Sequence, residues 1–101
     1  MSELRISRGA EADILEVWAY LFEVSSEETA DTVTAEILRM YERLTEFPTL
    51  GRRRLEIGAD FRSIPVGSYT IFYRVLSECI EIGRVLHQSR NYLAAFDIEE
   101  N

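Results

Sequence analysis

Hydrophobic residues in the first half of the chain recur at the spacing of α-helices. One apolar stripe runs through residues 10–22 and a second through residues 30–47. Ser7 is placed to cap the first helix, and Ser25–Glu28 has the order of a capping box that opens the second. The second helix must end before Pro48, which disfavours helical backbone at the preceding residue. The stripes consist of Ala10, Ile14, Val17, Trp18, Leu21 and Phe22, and of Ala30, Val33, Ile37, Met40, Tyr41, Leu44 and Phe47.

The two predicted helices, about residues 8–23 and 26–46, form an antiparallel hairpin because only a few residues separate them. We interpret Trp18 and the other aromatic stripe residues as core rather than as ligand contacts. The acidic residues Asp13, Glu16 and Glu23 fall outside the first stripe, so they are expected on the polar side of the helix.

In the second half the period changes to that of β-strands. Strands are predicted over about residues 60–66, 69–76 and 79–87. Gly67-Ser68 and Ser77-Glu78 each suit a two-residue hairpin turn. The expected pairs are Arg62–Tyr73, Ile64–Ile71, Val66–Tyr69, Phe72–Gly83, Arg74–Glu81 and Leu76–Cys79.

This register assigns every strand residue to a face, because side chains alternate along a strand. The face expected to pack against the helices carries Arg62, Ile64, Val66, Tyr69, Ile71, Tyr73, Val75, Ile80, Ile82, Arg84 and Leu86. The opposite, mixed face carries Phe61, Ser63, Pro65, Thr70, Phe72, Arg74, Glu81, Gly83, Val85 and His87. Arg62 and Arg84 thus fall among apolar residues, where a cation needs an acid, a hydroxyl or carbonyl oxygens.

These elements predict a single domain over residues 1–101 with an α+β fold. A strand at residues 3–6 joins the three C-terminal strands in a mainly antiparallel sheet, and the helical hairpin covers that sheet. Residues Asn91–Phe96 are expected to form either a short helix or an extended tail.

Charge is divided unevenly along the chain, which has eleven arginines and no lysine. The first fifty residues hold four arginines and eleven acids, whereas residues 51–90 hold seven arginines and four acids. Such asymmetry favours a charged partner surface. Arginine suits planar, bidentate contacts with carboxylates and tolerates partial burial.

Several classes of site are missing from the sequence. A lone Cys79 gives neither an internal disulfide nor a cysteine metal cluster. There is no phosphate-cradling glycine loop, no ligand-spaced metal cluster and no nucleophile–base pair, so no cofactor or metal is expected. No apolar run approaches the roughly 18 residues that span a bilayer. Acids near the N-terminus do not fit a signal peptide, so the cytoplasm is the expected location.

Three blocks of residues resemble the RelE/ParE superfamily of toxins from type II toxin–antitoxin modules, and the ParE branch in particular. They are Phe47-Pro48 with Leu50-Gly51-Arg52; Arg62-Ser63-Ile64-Pro65-Val66-Gly67 with Tyr69 and Ile71-Phe72-Tyr73-Arg74; and Ile82 with Arg84-Val85-Leu86-His87. Weaker similarity at Ser7, Ala10, Asp13 and Ile14 extends the resemblance over roughly residues 4 to 92.

The resemblance implies one of two activities on the same fold. ParE-like toxins bind and poison DNA gyrase, whereas RelE-like toxins cut mRNA on the ribosome. It also implies a ParD-like ribbon-helix-helix antitoxin in a hetero-oligomer, with no specific nucleic-acid binding by the toxin alone. The expected antitoxin contacts are Arg52, Arg53, Arg54, Arg62, Tyr73 and Arg84. The expected target contacts are Arg74, His87, Arg90 and Tyr92.

Three positions favour the gyrase-poison hypothesis over the ribonuclease. The ribonuclease branch places basic residues where this chain has Phe61, Ser63 and Thr70. An acidic chain without lysine also disfavours RNA phosphate binding. For the ribonuclease alternative, the candidate catalytic residues are His87, Arg74, Arg90 and Tyr92. A non-toxic interaction module remains a third interpretation, and the net charge of −7 departs from what the family implies for a toxin.

Overall fold

The two apolar stripes form the predicted helical hairpin of α1 (Arg8–Val24) and α2 (Glu27–Glu46) in the computed structural model, which describes residues 2–98. The Ser7 hydroxyl caps α1 by accepting the backbone N–H of Ala10. Ser26, rather than Ser25, caps α2 by accepting the N–H of Thr29. The predicted capping box is therefore wrong by one residue, because Ser25 lies in the turn between the helices.

A five-stranded sheet lies beside the hairpin in the order β1-β5-β4-β3-β2. Its strands are β1 (Glu3–Ile6), β2 (Arg52–Arg53), β3 (Phe61–Val66), β4 (Tyr69–Val75) and β5 (Cys79–His87). β1 runs parallel to β5, and all the other neighbours are antiparallel. The predicted α+β class is confirmed, with β2 as an additional short edge strand.

The predicted register holds for the whole β3–β4 hairpin and for the start of the β4–β5 hairpin. It fails at Phe72, which pairs with Arg84 instead of Gly83, because a bulge at Gly83 adds one residue to β5. The Ser7 hydroxyl donates a 2.7 Å hydrogen bond to the Gly83 carbonyl at this bulge.

The bulge changes which residues of β5 face the helices. Val85 joins the core there, so its predicted place on the opposite face is wrong. Leu86 pairs with Thr70 and therefore shares the face opposite the helical hairpin, whereas His87 pairs with Tyr69 and packs against its ring. The predicted faces of Leu86 and His87 were wrong because a single extra residue inverts a strand with a period of two. Arg84 pairs with Phe72 beside the bulge, and its guanidinium reaches Asp13 of α1.

The main core lies between the hairpin and the sheet. Its buried members are Ala10, Val17, Ile37, Tyr41, Leu44, Tyr69, Ile71, Tyr73, Ile80, Ile82 and Val85. On α1, Asp13 is buried, whereas Phe22 is 51% exposed. The expectation that Asp13 lies outside the core face and Phe22 inside it is thus wrong. Trp18 is only partly buried, and its indole N–H donates to Asp31 at 2.8 Å.

The opposite face of the sheet is covered by the short helix α3 (Tyr92–Ala95). Tyr92 stacks on Phe72, and Phe96 packs against Phe72 and Phe61. The first of the two alternatives for residues 91–96, a short helix, is therefore confirmed. Phe72 is only 3% exposed as a result, so this face holds a second, smaller apolar cluster.

Cys79 is a buried free thiol. Across residues 2–98, the helices lack the combination of length and apolarity that a membrane crossing requires.

We expect Gly51→Ala to destabilise the protein by about 2 kcal/mol, because overpacking strains a close-packed site. A Cβ at Gly51 would lie 2.6 Å from the Ser63 carbonyl oxygen and 2.8 Å from the Tyr73 hydroxyl. The matched control is Gly67→Ala, where φ is +59° and no atom lies within 4 Å of the added Cβ. That substitution should cost only about 1 kcal/mol of backbone strain. Urea unfolding measures both, and equal losses would contradict the packing at Gly51.

Candidate protein-interaction surface

A buried ion pair joins the first helix to the last strand. Arg84 Nε and Nη2 donate to the two Asp13 carboxylate oxygens at 2.8 and 2.9 Å. Asp13 also accepts the backbone N–H of Val85 at 2.8 Å. Arg84 Nη1 donates to the Ala95 carbonyl at 3.2 Å, so the same guanidinium reaches α3. The hydrogen bonds to Asp13 raise the pKa of Arg84 above its ordinary value.

Arg62 and Tyr73 hold the segment that leads into β2. The buried Tyr73 hydroxyl donates to the Pro48 carbonyl and accepts the Gly51 N–H. Arg62 Nη1 donates to the Gly51 carbonyl at 2.8 Å and to the Thr49 carbonyl at 3.4 Å. Burial raises the pKa of Tyr73 above 10.0, so its hydroxyl stays protonated. Both residues therefore position the segment at residues 48–51, and Tyr73 itself is fully buried.

The arginine triplet at residues 52–54 is split between two surfaces. Arg52 and Arg53 are exposed on the edge strand β2. Arg54 turns onto the sheet face that α3 covers, where its Nε donates to the buried Ser63 hydroxyl at 2.6 Å. Its guanidinium carbon lies 5.2 Å from the centre of the Tyr92 ring, within cation–π range.

Glu56 completes this group around Arg54. The Tyr92 hydroxyl donates to the Glu56 carboxylate at 2.6 Å, and Arg54 Nη1 lies 3.5 Å from the same carboxylate oxygen. The hydrogen bond from Tyr92 lowers the pKa of Glu56, and the same bond raises the pKa of Tyr92. These contacts hold α3 against the loop that precedes β3, through Arg54, Glu56 and Tyr92.

Three of the four expected target contacts meet at one end of the sheet. His87, Arg90 and Tyr92 line a pocket of about 220 Å³ together with Arg54, Thr70, Phe72, Leu86 and Gln88. Arg74, the fourth, pairs with Glu81 at 2.9 Å. It lies five residues from Tyr69, the partner of His87. At about 3.4 Å per residue, that places Arg74 roughly 17 Å along the strand from the other three.

His87 has little of the support that a general base needs. Its Nδ1 accepts the Ser89 N–H at 3.1 Å and lies 2.8 Å from the Ser89 hydroxyl. Its ring meets Tyr69 edge-on, with centroids 5.4 Å apart. Within residues 2–98, no group of three His, Cys, Asp or Glu side chains is arranged to hold a metal ion. The pocket beside His87 is lined by cationic and aromatic side chains, among them Arg54, Arg90 and Tyr92.

Sequence reasoning missed two features of this arrangement, the burial of Asp13 and the contact between Glu56 and Tyr92. Asp13 follows Ala10 by three positions and precedes Val17 by four, which is the spacing of the buried face. This spacing is compatible with burial, but a carboxylate is buried only where a partner such as Arg84 balances its charge. Glu56 carries no comparable local signal, because its partner Tyr92 lies 36 residues away.

The chain matches a known protein family over most of its length. The family described as "ParE toxin of type II toxin-antitoxin system, parDE" matches residues 4–92. The chain is 36% identical over 91 residues to Toxin ParE1 of Caulobacter vibrioides, covering 90% of this chain and 94% of that protein. It belongs to the ParE toxin family. It is also 33% identical over 88 residues to Toxin ParE1 of Mycobacterium tuberculosis, covering 86% of this chain and 90% of that protein.

Solved structures of ParE and RelE toxins share this fold. A chain from the chromosomal ParDE toxin–antitoxin system of P. aeruginosa superposes with a TM-score of 0.75 at 20% identity, covering 86% of this chain and 96% of that one. A chain from the toxin–antitoxin complex RelBE2 of Mycobacterium tuberculosis gives 0.62 at 20% identity, covering 86% and 98%. The ParE family predicted from the sequence is confirmed, and the two solved structures show the same fold.

We expect Asp13→Asn to destabilise this ParE toxin by about 3 kcal/mol, the lower end for breaking a buried pair, since Arg84 is partly exposed. The matched control is Arg74→Gln, which breaks the more exposed pair with Glu81 and should cost at most about 1 kcal/mol. Chemical denaturation measures both losses. If the two substitutions cost the same, the Asp13–Arg84 pair does not organise the fold.

The pKa of Glu56, measured by NMR titration, should lie below its ordinary value of 4.5, because Tyr92 donates to its ionised form. Tyr92→Phe removes that donor and keeps the ring stack on Phe72, so the pKa of Glu56 should rise. Because the folded pKa is depressed, the stability that this bond contributes is fully present above the unfolded pKa and is lost as the pH falls through the folded pKa. An unchanged Glu56 pKa in Tyr92→Phe would contradict the bond.

Proposed function

We propose that this ParE toxin inhibits DNA gyrase by protein–protein contact and is not an enzyme. The supporting observation is the side-chain packing on the face of the sheet opposite the helical hairpin. Ser63 is buried beneath Arg54 there, while Phe61 and Phe72 pack under α3. A scissile phosphate needs a positioned base and free cations, but this face presents an aromatic cluster and an arginine already paired with Glu56.

The target-binding surface that we propose consists of His87, Arg90 and Tyr92, which line one pocket. His87 and Arg90 are exposed. The hydrogen bond from Tyr92 to Glu56 holds the start of α3 in place beside them. Arg74, at the other end of β4, would contact the target only if the interface extended along the sheet. This arrangement favours a contact surface rather than a compact reactive centre.

The proposed partner in the cell is a ParD-like ribbon-helix-helix antitoxin that forms a hetero-oligomer with the toxin in the cytoplasm. Arg52 and Arg53 are exposed on an edge strand, where they can meet acids of an added strand or helix. Arg54, Arg62, Tyr73 and Arg84 are engaged within the toxin. We propose that they support antitoxin binding by positioning β2 and its neighbours. The toxin alone is not expected to bind a specific nucleic acid.

A ribosome-dependent mRNA endoribonuclease is the second candidate. The observation that favours it is the pocket that groups Arg54, His87, Arg90 and Tyr92. In that case His87 would serve as acid or base, with Arg90, Tyr92 and Arg74 in support. A non-toxic interaction module, the third interpretation, would show neither activity.

Replacing His87 by Gln separates the first two mechanisms. We expect the variant to keep trapping purified gyrase on cleaved plasmid DNA, because contact does not require proton transfer. A ribonuclease should instead lose about 10²–10⁴-fold in rate when its acid or base is removed. Ribosome-dependent mRNA cleavage that disappears in His87→Gln, without any effect on gyrase, would overturn the proposal.

Removing residues 91–101, of which 99–101 lie outside the described part, should weaken gyrase poisoning while sparing much of the antitoxin binding. This truncation also uncovers Phe72, so Arg90→Ala serves as a second variant that leaves α3 in place. Unchanged gyrase trapping by both variants would remove this surface from the proposal.

A further inference from the structure

Two neighbouring cavities lie where the helical hairpin meets the β3–β4 turn and the end of β5. One, of about 330 Å³, is lined by residues of α1 together with Val85, His87 and Arg90. The other, of about 290 Å³, is lined by residues of both helices and of the β3–β4 turn. Tyr20, Tyr69 and His87 line both cavities, so the two form one groove with aromatic walls, termed here the tyrosine groove.

The hydroxyl of Tyr69 is not used by the fold. Tyr69 is 7% exposed, and no residue within 2–98 forms a hydrogen bond with its hydroxyl. Among the partly or fully buried side chains of that range, only Tyr41 has a polar atom that is both unpartnered and sealed from solvent. The Tyr69 hydroxyl therefore opens into the groove that its side chain lines. An unpaired hydroxyl on a buried side chain calls for a partner, and here the groove leaves room for one.

Carboxylates flank the tyrosines on the helical side of the groove. Glu16 on α1 lines one cavity and Glu36 on α2 lines the other, and both are exposed. The ion pairs found within residues 2–98 involve neither of them. Asp13 also lines the first cavity, but its carboxylate is already engaged by Arg84. The negative charge that remains available in the groove is therefore that of Glu16 and Glu36.

This set of groups matches the side chain of an arginine. A guanidinium is attracted to the face of a tyrosine ring within about 6 Å, and its planar N–H groups suit carboxylate and hydroxyl oxygens. Burial and the nearby Tyr20 raise the pKa of Tyr69, so its hydroxyl stays neutral and can accept such an N–H. An acidic side chain would be repelled by Glu16 and Glu36 and would fit only the opposite end, at Arg90.

We propose that the tyrosine groove binds an arginine side chain of the target protein, against the rings of Tyr20 and Tyr69 and beside the Glu16 and Glu36 carboxylates. The inference rests on the proposed function, because the occupant belongs to the target. The groove is assigned to the target because His87 and Arg90, two of the proposed target contacts, line it as well. The target surface then has a basic part at Arg90 and an acidic, aromatic part beside α1.

Two substitutions test the groove through binding of the toxin to purified gyrase, measured by calorimetry at two salt concentrations. Tyr69→Phe removes only the hydroxyl and keeps the packed ring. It should weaken binding about tenfold, the size expected for a lost hydrogen bond to a charged group. Glu16→Gln should weaken binding by a similar factor and should also reduce its salt dependence.

Each of these substitutions has a matched control. Tyr41→Phe also removes an unpartnered hydroxyl, from a tyrosine that lines a different cavity with Leu15 and Leu38. Glu23→Gln removes an exposed carboxylate of α1 that lines neither cavity of the groove. Both controls should bind gyrase within about twofold of the parent toxin. If gyrase binds all four variants like the parent, this inference is overturned while the proposed function stands.

A small probe tests the chemistry of the groove without gyrase. N-acetylarginine amide should shift the NMR signals of the Tyr20 and Tyr69 rings in a saturable way, and Glu16→Gln should weaken that effect. The neutral N-acetylglutamine amide, at the same concentrations, should leave these signals in place. Equal shifts with the two probes, or no shift with either, would overturn the guanidinium specificity and with it the inference.

Other outcomes would assign the groove to a different occupant. If Tyr69→Phe and Glu16→Gln weaken binding of the antitoxin and not of gyrase, the groove belongs to the antitoxin. Self-association of the toxin that Glu16→Gln abolishes in analytical ultracentrifugation would assign the groove to a second copy. Either result overturns the proposal. A parent toxin that does not bind gyrase would overturn the proposed function itself, and the target's arginine as the occupant with it.

Discussion

The ion pair between Asp13 and Arg84 is the contact on which both layers of the structure depend. Asp13 is 4% exposed, and a buried carboxylate persists only when its oxygens are hydrogen-bonded and its charge is balanced. Two guanidinium nitrogens and the Val85 N–H supply that balance. Val85 can donate there because the bulge at Gly83 shifts the end of β5 by one residue. The same Arg84 reaches the Ala95 carbonyl, so the pair links α1, β5 and α3.

Arginine has two physically separate uses in this chain. Arg54, Arg62 and Arg84 are held within the fold by a hydroxyl, by carbonyl oxygens and by a carboxylate, respectively. Arg52, Arg53 and Arg90 are exposed. Their forked, planar head groups are available for a partner's carboxylates. The basic second half of the sequence is therefore only partly a binding surface, because much of its positive charge organises the segments at residues 48–51 and 92–95.

The RelE/ParE fold supports more than one activity, so the function has to be argued from the surface that a given chain presents. In this member, the sheet face opposite the hairpin is filled by Phe61, Phe72 and Phe96, with Arg54 closing over Ser63. Apolar packing there stabilises α3, and under the proposed function the adjoining pocket serves contact rather than proton transfer. The acidic hairpin gives this member a second surface of opposite charge.

Local patterns in the sequence determined the hairpin, the strands and most of their pairing. Helical periodicity depends on neighbours three and four residues apart, and the two-residue turn at Gly67-Ser68 sets the β3–β4 register by itself. Tertiary structure alone decided the bulge at Gly83, the burial of Asp13 and the separation of Arg54 from Arg52 and Arg53. Each of these depends on a distant partner: Asp13 meets Arg84 across 71 positions, and Arg54 meets Tyr92 across 38. A buried charge is tolerated only once such a partner arrives, so its place cannot be read from neighbouring residues.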